Sequence, residues 1–403
     1  MTEPPSALLR TPLYPFHAGR GAHLVPFAGW EMPLYYDGIL PEHAAVRDSA
    51  GLFDVGHMGI LTVTGAGAVP LLERRTTARV GQIAPGQVRY TFLLDAEGAI
   101  IDDLLVTRVD DGTGPIPQFL VVPNAATAAF VFDLLREHRL PNTVLERHNG
   151  AATILAVQGP ASRSILESLF GWSLGGIGFY HARWLPKTPG SAPSPGRLGP
   201  GFPEGLSTQW FVSRTGYTGE LGYEIFVPAA DALPLAERLV AQGVRPAGLG
   251  ARDTLRLEKG YLLSGQDFHR DRTPLEAAQD RFVEFDHDFV GRPVLDKQRR
   301  EGVPARLAGL RVDQPGAIPR HGTPVLQQGA PVAVLTSGGL SPTLGYGIAL
   351  AYLPPALGVP GTRLELQLRG RTVPAEVVPL PFLAPRPRPP AGGDRPAGAR
   401  VPP

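Results

Sequence analysis

Short apolar runs follow one another along this chain, and nearly every one is closed by a glycine or a proline. Proline has no amide hydrogen to give to a helix interior or a central strand, and glycine loses more freedom on ordering than any other residue. With 49 glycines and 44 prolines in 403 residues, many short elements are favoured over long helices. The runs "GILTVTG", "VRYTFLLD", "AIIDDLLVTRV", "QFLVVP", "TILAVQG", "QWFVSRT" and "YEIFVP" read as strands. The clearest pairing is "VRYTFLLDAEGAIIDDLLVTRV", a hairpin turning at "DAEG". Three helices are expected. "GILPEHAAVRDSAGLF" has Pro41 ahead of an amphipathic run and Gly51 near its end, "NAATAAFVFDLLREH" starts from a capping Asn124, and "ADALPLAERLVAQG" stops at Gly243. The mixture predicts an α+β body dominated by antiparallel sheet.

From about residue 305 the pattern changes to "ARLAGLRV", "APVAVLTSG", "GIALAYL", "RLELQL" and "VPAEVVPL", short strands divided by turns, which predicts a separate β-barrel or sandwich. The expected division is a body over 1–300, a β-domain over 301–385 and a disordered Pro/Arg-rich tail over 386–403. Residues 185–207 hold six prolines and five glycines and read as an exposed loop. The 38 basic and 37 acidic side chains leave a net charge of +1, so no basic stripe points to nucleic acid. The absence of cysteine excludes disulfides, thiolate catalysis and cysteine-ligated metal, and suits a cytoplasmic setting. No stretch reads as a signal peptide or membrane span.

Within "GAIIDDLLVTR" two adjacent carboxylates, Asp102 and Asp103, interrupt a run that otherwise reads as buried. Burying an ionised carboxylate without a partner is strongly unfavourable, and neighbours on a strand point to opposite faces, so one of the two at most looks into any given cavity. In "RTGYTGELGYEIFV", Gly216, Gly219 and Gly222 recur around Tyr217, Glu220 and Glu224; such glycines permit sharp turns or close approach to a ligand, but match no nucleotide-binding motif. In "GLGARDTLRLEKGYLLSGQD", Arg252 and Arg256 lie four apart on a short helix and could clamp a carboxylate, or form ordinary ion pairs. His57 in "FDVGHMG" stands apart from other histidines and reads as structural, with no paired spacing for a metal. No GxSxG elbow supports a hydrolase triad.

Taken in order, "RTPLYPFHAGRGAHLVPFAGWEMPLYY", "GLFDVGHMG", "GAIIDDLLV", "LAVQGP", "SRTGYTGELGYEIFV", "GLGARDTLRLEKGYLLSGQD" and "TSGGLSPTLGYGIALAYL" resemble the T-protein family of the glycine cleavage system, the aminomethyltransferases. The resemblance implies two intertwined α+β domains around a central folate-binding hole, followed by a C-terminal β-barrel-like domain. It also implies transfer of a one-carbon unit from the aminomethyl-dihydrolipoyl arm of a lipoylated H protein to tetrahydrofolate, with release of ammonia and no metal. By residue-wise matching, Asp103 falls on the functional aspartate, beside the pteridine and N10 of the folate, and Asp102 faces away. A carboxylate there can orient the nitrogen, accept a proton or stabilise developing positive charge. Tyr90, Tyr217 and Glu224 fall on folate-contacting positions, Arg252 on a ligand-binding position, Met58 on the pocket wall, and Asn124 follows "QFLVVP" as in relatives. The chain departs from those relatives at Pro123, Lys259, Arg281 and Leu380. A non-catalytic folate-binding assembly or repair factor would carry a cysteine-containing segment that is missing here. The folate domain of a sarcosine- or dimethylglycine-oxidising enzyme would accompany a dinucleotide fingerprint, also missing.

Overall fold

A computed structural model describes residues 7–110, 112, 116–188, 206 and 208–384. The hairpin expected at "DAEG" forms between strands Val88–Leu94 and Ile100–Arg108. Its turn is closed locally. Gly98 N donates to the Asp95 carbonyl at 3.1 Å, the Asp95 carboxylate accepts Ala99 N at 2.8 Å, and Gly98 takes φ +78°, which a side chain would resist. This hairpin leads a five-stranded antiparallel sheet that continues through Gln118–Val122, Leu61–Thr64 and Val144–Arg147.

A second sheet has six strands in the order Ala182–Pro186, Gln209–Ser213, Gly222–Pro228, Ala152–Gln158, Gly51–Asp54 and Arg245–Pro246; only the last pairs in parallel. Gly51–Asp54 precedes the whole five-stranded sheet in the chain, and its partner Ala152–Gln158 follows it. The two sheets are therefore intertwined in sequence. They also meet at their edges, where Val88 N donates to Tyr180 O at 2.8 Å and Ala182 N to Gly86 O at 2.7 Å. Arg306–Val312, Gly347–Leu353, Ala330–Leu340, Pro324–Gln327, Arg363–Leu368 and Arg371–Val378 form a closed barrel, so no strand edge is left open to another chain.

The three expected helices form, with corrected ends. The first, Ile39–Asp48, stops before Gly51, which instead opens a strand against Val46, where a Cβ would collide. The third, Ala229–Ala241, is followed by Gly243 at φ +83°. The second starts at Ala128 behind Thr127, so Asn124 does not cap it. Of the expected loop, residues 185 and 186 belong to strand Ala182–Pro186 and Leu206 is buried in the core, while 189–205 and 207 lie outside the described residues, as does the tail 386–403.

Two buried carboxylates, Glu258 and Asp267, join the body to the barrel; Asp267 accepts Thr336 Oγ1 at 2.6 Å and Ser337 Oγ at 2.7 Å. Glu258, at the end of helix Leu249–Glu258 and 0% exposed, accepts Arg47 Nη2 at 2.5 Å, Ser341 Oγ at 2.5 Å, Thr343 N at 3.0 Å and Thr343 Oγ1 at 2.9 Å. Arg47 comes from helix Ile39–Asp48 and also donates to Glu220 Oε1 at 2.8 Å and Thr218 O at 2.9 Å, in the glycine-rich segment. Burial opposes the Glu258 charge, but the Ser341 hydroxyl and the nearby His43 and Arg47 overcome it and hold the carboxyl below its ordinary range. Arg256, on the same helix, is spent on Asp253 at 2.8 Å, Asp267 at 2.9 Å and Ser337 at 2.9 Å, and so does not join Arg252 in a clamp. Removing one member of such a buried network strands the others. Glu258→Ala should cost about 3–5 kcal/mol and lower the melting temperature clearly in a calorimetric scan; an unchanged transition would refute the hub.

Candidate functional site

A cavity of about 570 Å³ opens between the two sheets, helix Leu249–Glu258 and the barrel. Strand alternation decides which of the paired acids reaches it. Asp103 lines the cavity wall, while Asp102, 0% exposed, lies behind it and is absent from that wall. The Tyr90 hydroxyl, one strand away, donates to Asp103 Oδ2 at 2.8 Å. Asn124 Nδ2 donates to Asp102 Oδ1 at 2.8 Å and to Asp103 Oδ1 at 2.5 Å, and Asn124 N donates to Asp102 Oδ2 at 3.0 Å. One amide thus serves both carboxyls from opposite sides of the strand, which explains why Asn124 is unavailable as a helix cap. Burial pushes the Asp103 carboxyl above its ordinary range, against the hydrogen bonds from Tyr90 and Asn124. Burial and then the Asp103 charge push Asp102 up to about 7.

Across the cavity, strand Gly222–Pro228 presents Glu224, which accepts a short hydrogen bond from Thr215 Oγ1. Burial raises the Glu224 carboxyl, while Thr215 and the Arg252 charge restrain it. Gly216 and Gly222 leave no room for a Cβ against Gln158, so the segment between them is held close to the sheet. Tyr217, on that segment, donates its hydroxyl to Leu262 O, stacks on Tyr261 with centroids 5.7 Å apart and carries the Arg252 guanidinium 4.8 Å above its ring. Arg252 is the one arginine of the helix that enters the cavity wall, on the turn before Arg256. Met58 lines the same wall, its carbonyl accepting Asn149 Nδ2 at 2.8 Å. Asp103, Tyr90, Tyr217, Glu224, Arg252, Met58 and Asn124, drawn from distant parts of the chain, therefore converge on a single cavity.

Sequence reasoning set His57 aside as structural, yet it lies in this wall. It packs edge-on against Phe27, 5.7 Å between centroids, and its Nδ1 has no hydrogen-bond partner. Burial, with the Arg252 charge, lowers its pKa to about 3, so the ring is neutral near pH 7. Tyr180, held at φ +56°, and Lys259, Arg281 and Leu380 also reach the wall. None of these carries a local motif; only the adjacency of His57 to Met58 in "GHMG" could have signalled one of them. Among the described residues no group of three His, Cys, Asp or Glu is placed to hold a metal ion, and no helix is long and apolar enough to cross a membrane.

The wall combines two half-buried carboxyls, aromatic faces and a half-buried guanidinium, which suits a flat, polar-edged ligand and proton transfer at one end. Comparison with known proteins agrees in fold and extent. The GCVT N-terminal domain family matches residues 13–190 and 205–287, and the glycine cleavage T-protein C-terminal barrel domain matches residues 306–383. An aminomethyltransferase of Thermosynechococcus vestitus is 42% identical over 384 residues, 95% of this chain and 97% of the relative. One from Halothermothrix orenii is 38% identical over 381 residues, covering 93% and 99%. The crystal structure of glycine cleavage system aminomethyltransferase T from Bartonella henselae superposes with a TM-score of 0.83 at 32% identity, covering 94% of this chain and 99% of that one. The chain belongs to the glycine cleavage T-protein family, the aminomethyltransferases.

Proposed function

We propose that the chain takes the one-carbon unit from the aminomethyl-dihydrolipoyl arm of a lipoylated H protein and delivers it to tetrahydrofolate, forming 5,10-methylenetetrahydrofolate and releasing ammonia in the cytoplasm. The observation that carries this reading is the Asp103 carboxyl, half-buried in the cavity wall and held between Tyr90 and Asn124. A cavity of about 570 Å³ suits a pterin and its attached ring. Glu224 supplies the acceptor that an amino-pyrimidine edge requires, and Tyr90 and Tyr217 supply ring surface. The fixed fork of Arg252 adds donors to the same wall.

In this reading Asp103 orients the folate nitrogen that accepts the carbon, and its charge favours the positive charge that develops as ammonia leaves. A carboxyl raised above its usual range is also better matched to taking a proton near neutral pH. Tyr90 and Asn124 fix its rotamer, and Asp102 behind it holds Asn124 in place. His57, neutral and tucked against Phe27, adds no competing charge.

Purified protein given aminomethylated H protein should release ammonia and form methylenetetrahydrofolate only when tetrahydrofolate is supplied. Folate binding without turnover would defeat the proposal. Asp103→Asn keeps the shape and removes the charge, and should cut turnover by about 10²- to 10⁴-fold while leaving circular dichroism unchanged. The rate should fall on acidification with a midpoint above the ordinary carboxylate value. Tyr90 lowers that midpoint by donating to the anion, so Tyr90→Phe should move the acid limb to higher pH; a limb shifted downward would contradict the assignment. Glu224→Ala should raise the tetrahydrofolate dissociation constant about tenfold or more, well beyond its effect on the bound reaction.

The same buried pair bears on stability. A carboxyl with a raised folded pKa binds more protons folded than unfolded, so its contribution is largest in acid and declines as pH rises from about 4 toward 7. Melting of Asp103→Asn relative to the parent should therefore become more favourable across that rise. A pH-independent difference would rule out the strained pair.

A further inference from the structure

Beyond its last barrel strand the chain crosses the cavity rim. Pro379 and Pro381 are exposed and also line the cavity, so they stand where it meets solvent. Leu380, between them, packs on Gly260, and Leu380 and Phe382 together lie against Gly309, where a Cβ would come within about 3 Å of both. What holds this segment to the body is the end of the Arg252 helix. Leu383 N donates to Glu258 O at 3.1 Å, and Lys259 Nζ donates to Leu383 O at 3.3 Å and Ala384 O at 3.2 Å.

The Lys259 stem has a second fixed contact. It lies on Gly219, whose φ of +77° and missing side chain are both needed, because a Cβ there would collide with three of the lysine's carbons. Gly219 sits two residues after Tyr217 and five before Glu224. One side chain, rooted at the end of the helix that carries Arg252, therefore touches both the segment that carries Tyr217 and the chain beyond the last barrel strand. The ammonium can supply three donors, and two of them meet carbonyls.

We propose that Lys259 is a positioning residue that latches the segment Pro379–Ala384 over the cavity rim and thereby sets how tightly the cavity retains its ligand. The latch acts through the rim residues rather than through the reacting atoms. Its loss should weaken binding and leave the bound reaction nearly untouched. The link to tetrahydrofolate rests on the function proposed above; the anchorage of the segment does not.

Lys259→Met keeps the stem and removes the donors, Lys259→Arg restores a cation, and Leu383→Pro deletes the amide that donates to Glu258 while keeping Lys259. Hydrogen exchange at Leu383 in the full chain reports anchorage, and titration with tetrahydrofolate together with steady-state kinetics reports its effect. Lys259→Met should speed exchange at Leu383 and raise the dissociation constant and KM about fivefold, on the scale of one hydrogen bond's net worth, with kcat little changed. Lys259→Arg should recover most of both, and Leu383→Pro should reproduce the loss of affinity. Unchanged exchange in Lys259→Met would overturn the latch. Faster exchange with an unchanged dissociation constant would overturn its control of binding. A parent protein that binds no tetrahydrofolate would defeat the proposed function, while the exchange result would still judge the latch.

Discussion

The seam between the body and the barrel rests on how buried negative charge is satisfied, at Asp267 and above all at Glu258, which is closed off from solvent. The two Glu258 oxygens take hydrogen bonds from Arg47, Ser341 and Thr343, so helix Ile39–Asp48, helix Leu249–Glu258 and the barrel's Ser341–Thr343 loop are referred to one point. Arg47 extends the network to Thr218 and Glu220. Apolar packing supplies most of the driving force for burial but tolerates sliding; a carboxylate with fixed donors does not. Because helix Leu249–Glu258 also carries Arg252 into the cavity, the same network fixes the cavity wall from behind.

The Asp102 and Asp103 pair applies the opposite logic. Here burial exceeds what the neighbours return, and both carboxyls sit above their ordinary range. Glu258, 0% exposed, is held below it by the Ser341 hydroxyl and the neighbouring His43 and Arg47. Burial alone therefore does not predict the direction of a carboxyl's shift in this molecule; the charge beside it does, Arg47 at Glu258 and a second carboxyl at Asp102. Asp103 has a tyrosine and an amide, neither of them charged, and so remains responsive to a proton.

Local patterns reveal most of the elements and one decisive orientation. The "DAEG" hairpin, the barrel strands and the placing of Asp103 but not Asp102 on the cavity side follow from short-range rules about turns and alternation. The errors share one cause, which is competition from residues distant in sequence. Asn124 has the composition of a helix cap, but two carboxyls from a strand 21 and 22 residues earlier claim its side chain. Arg256 has the spacing of a clamp partner for Arg252, but Asp267 and Ser337 take it. His57 gives no paired spacing, because its place in the cavity wall depends on packing against Phe27 from another element.

The interleaving of the two sheets has a consequence for synthesis. Strand Gly51–Asp54 leaves the ribosome before any of the five-stranded sheet, yet its antiparallel partner begins at Ala152. At about 5–20 residues per second, it waits on the order of 5–20 s without its neighbour. The smaller sheet, spanning residues 61–147, is complete by then and can close on itself first. The larger sheet can be completed only after the smaller one, and its seam between Gly51–Asp54 and Ala152–Gln158 is a pairing between segments of different age.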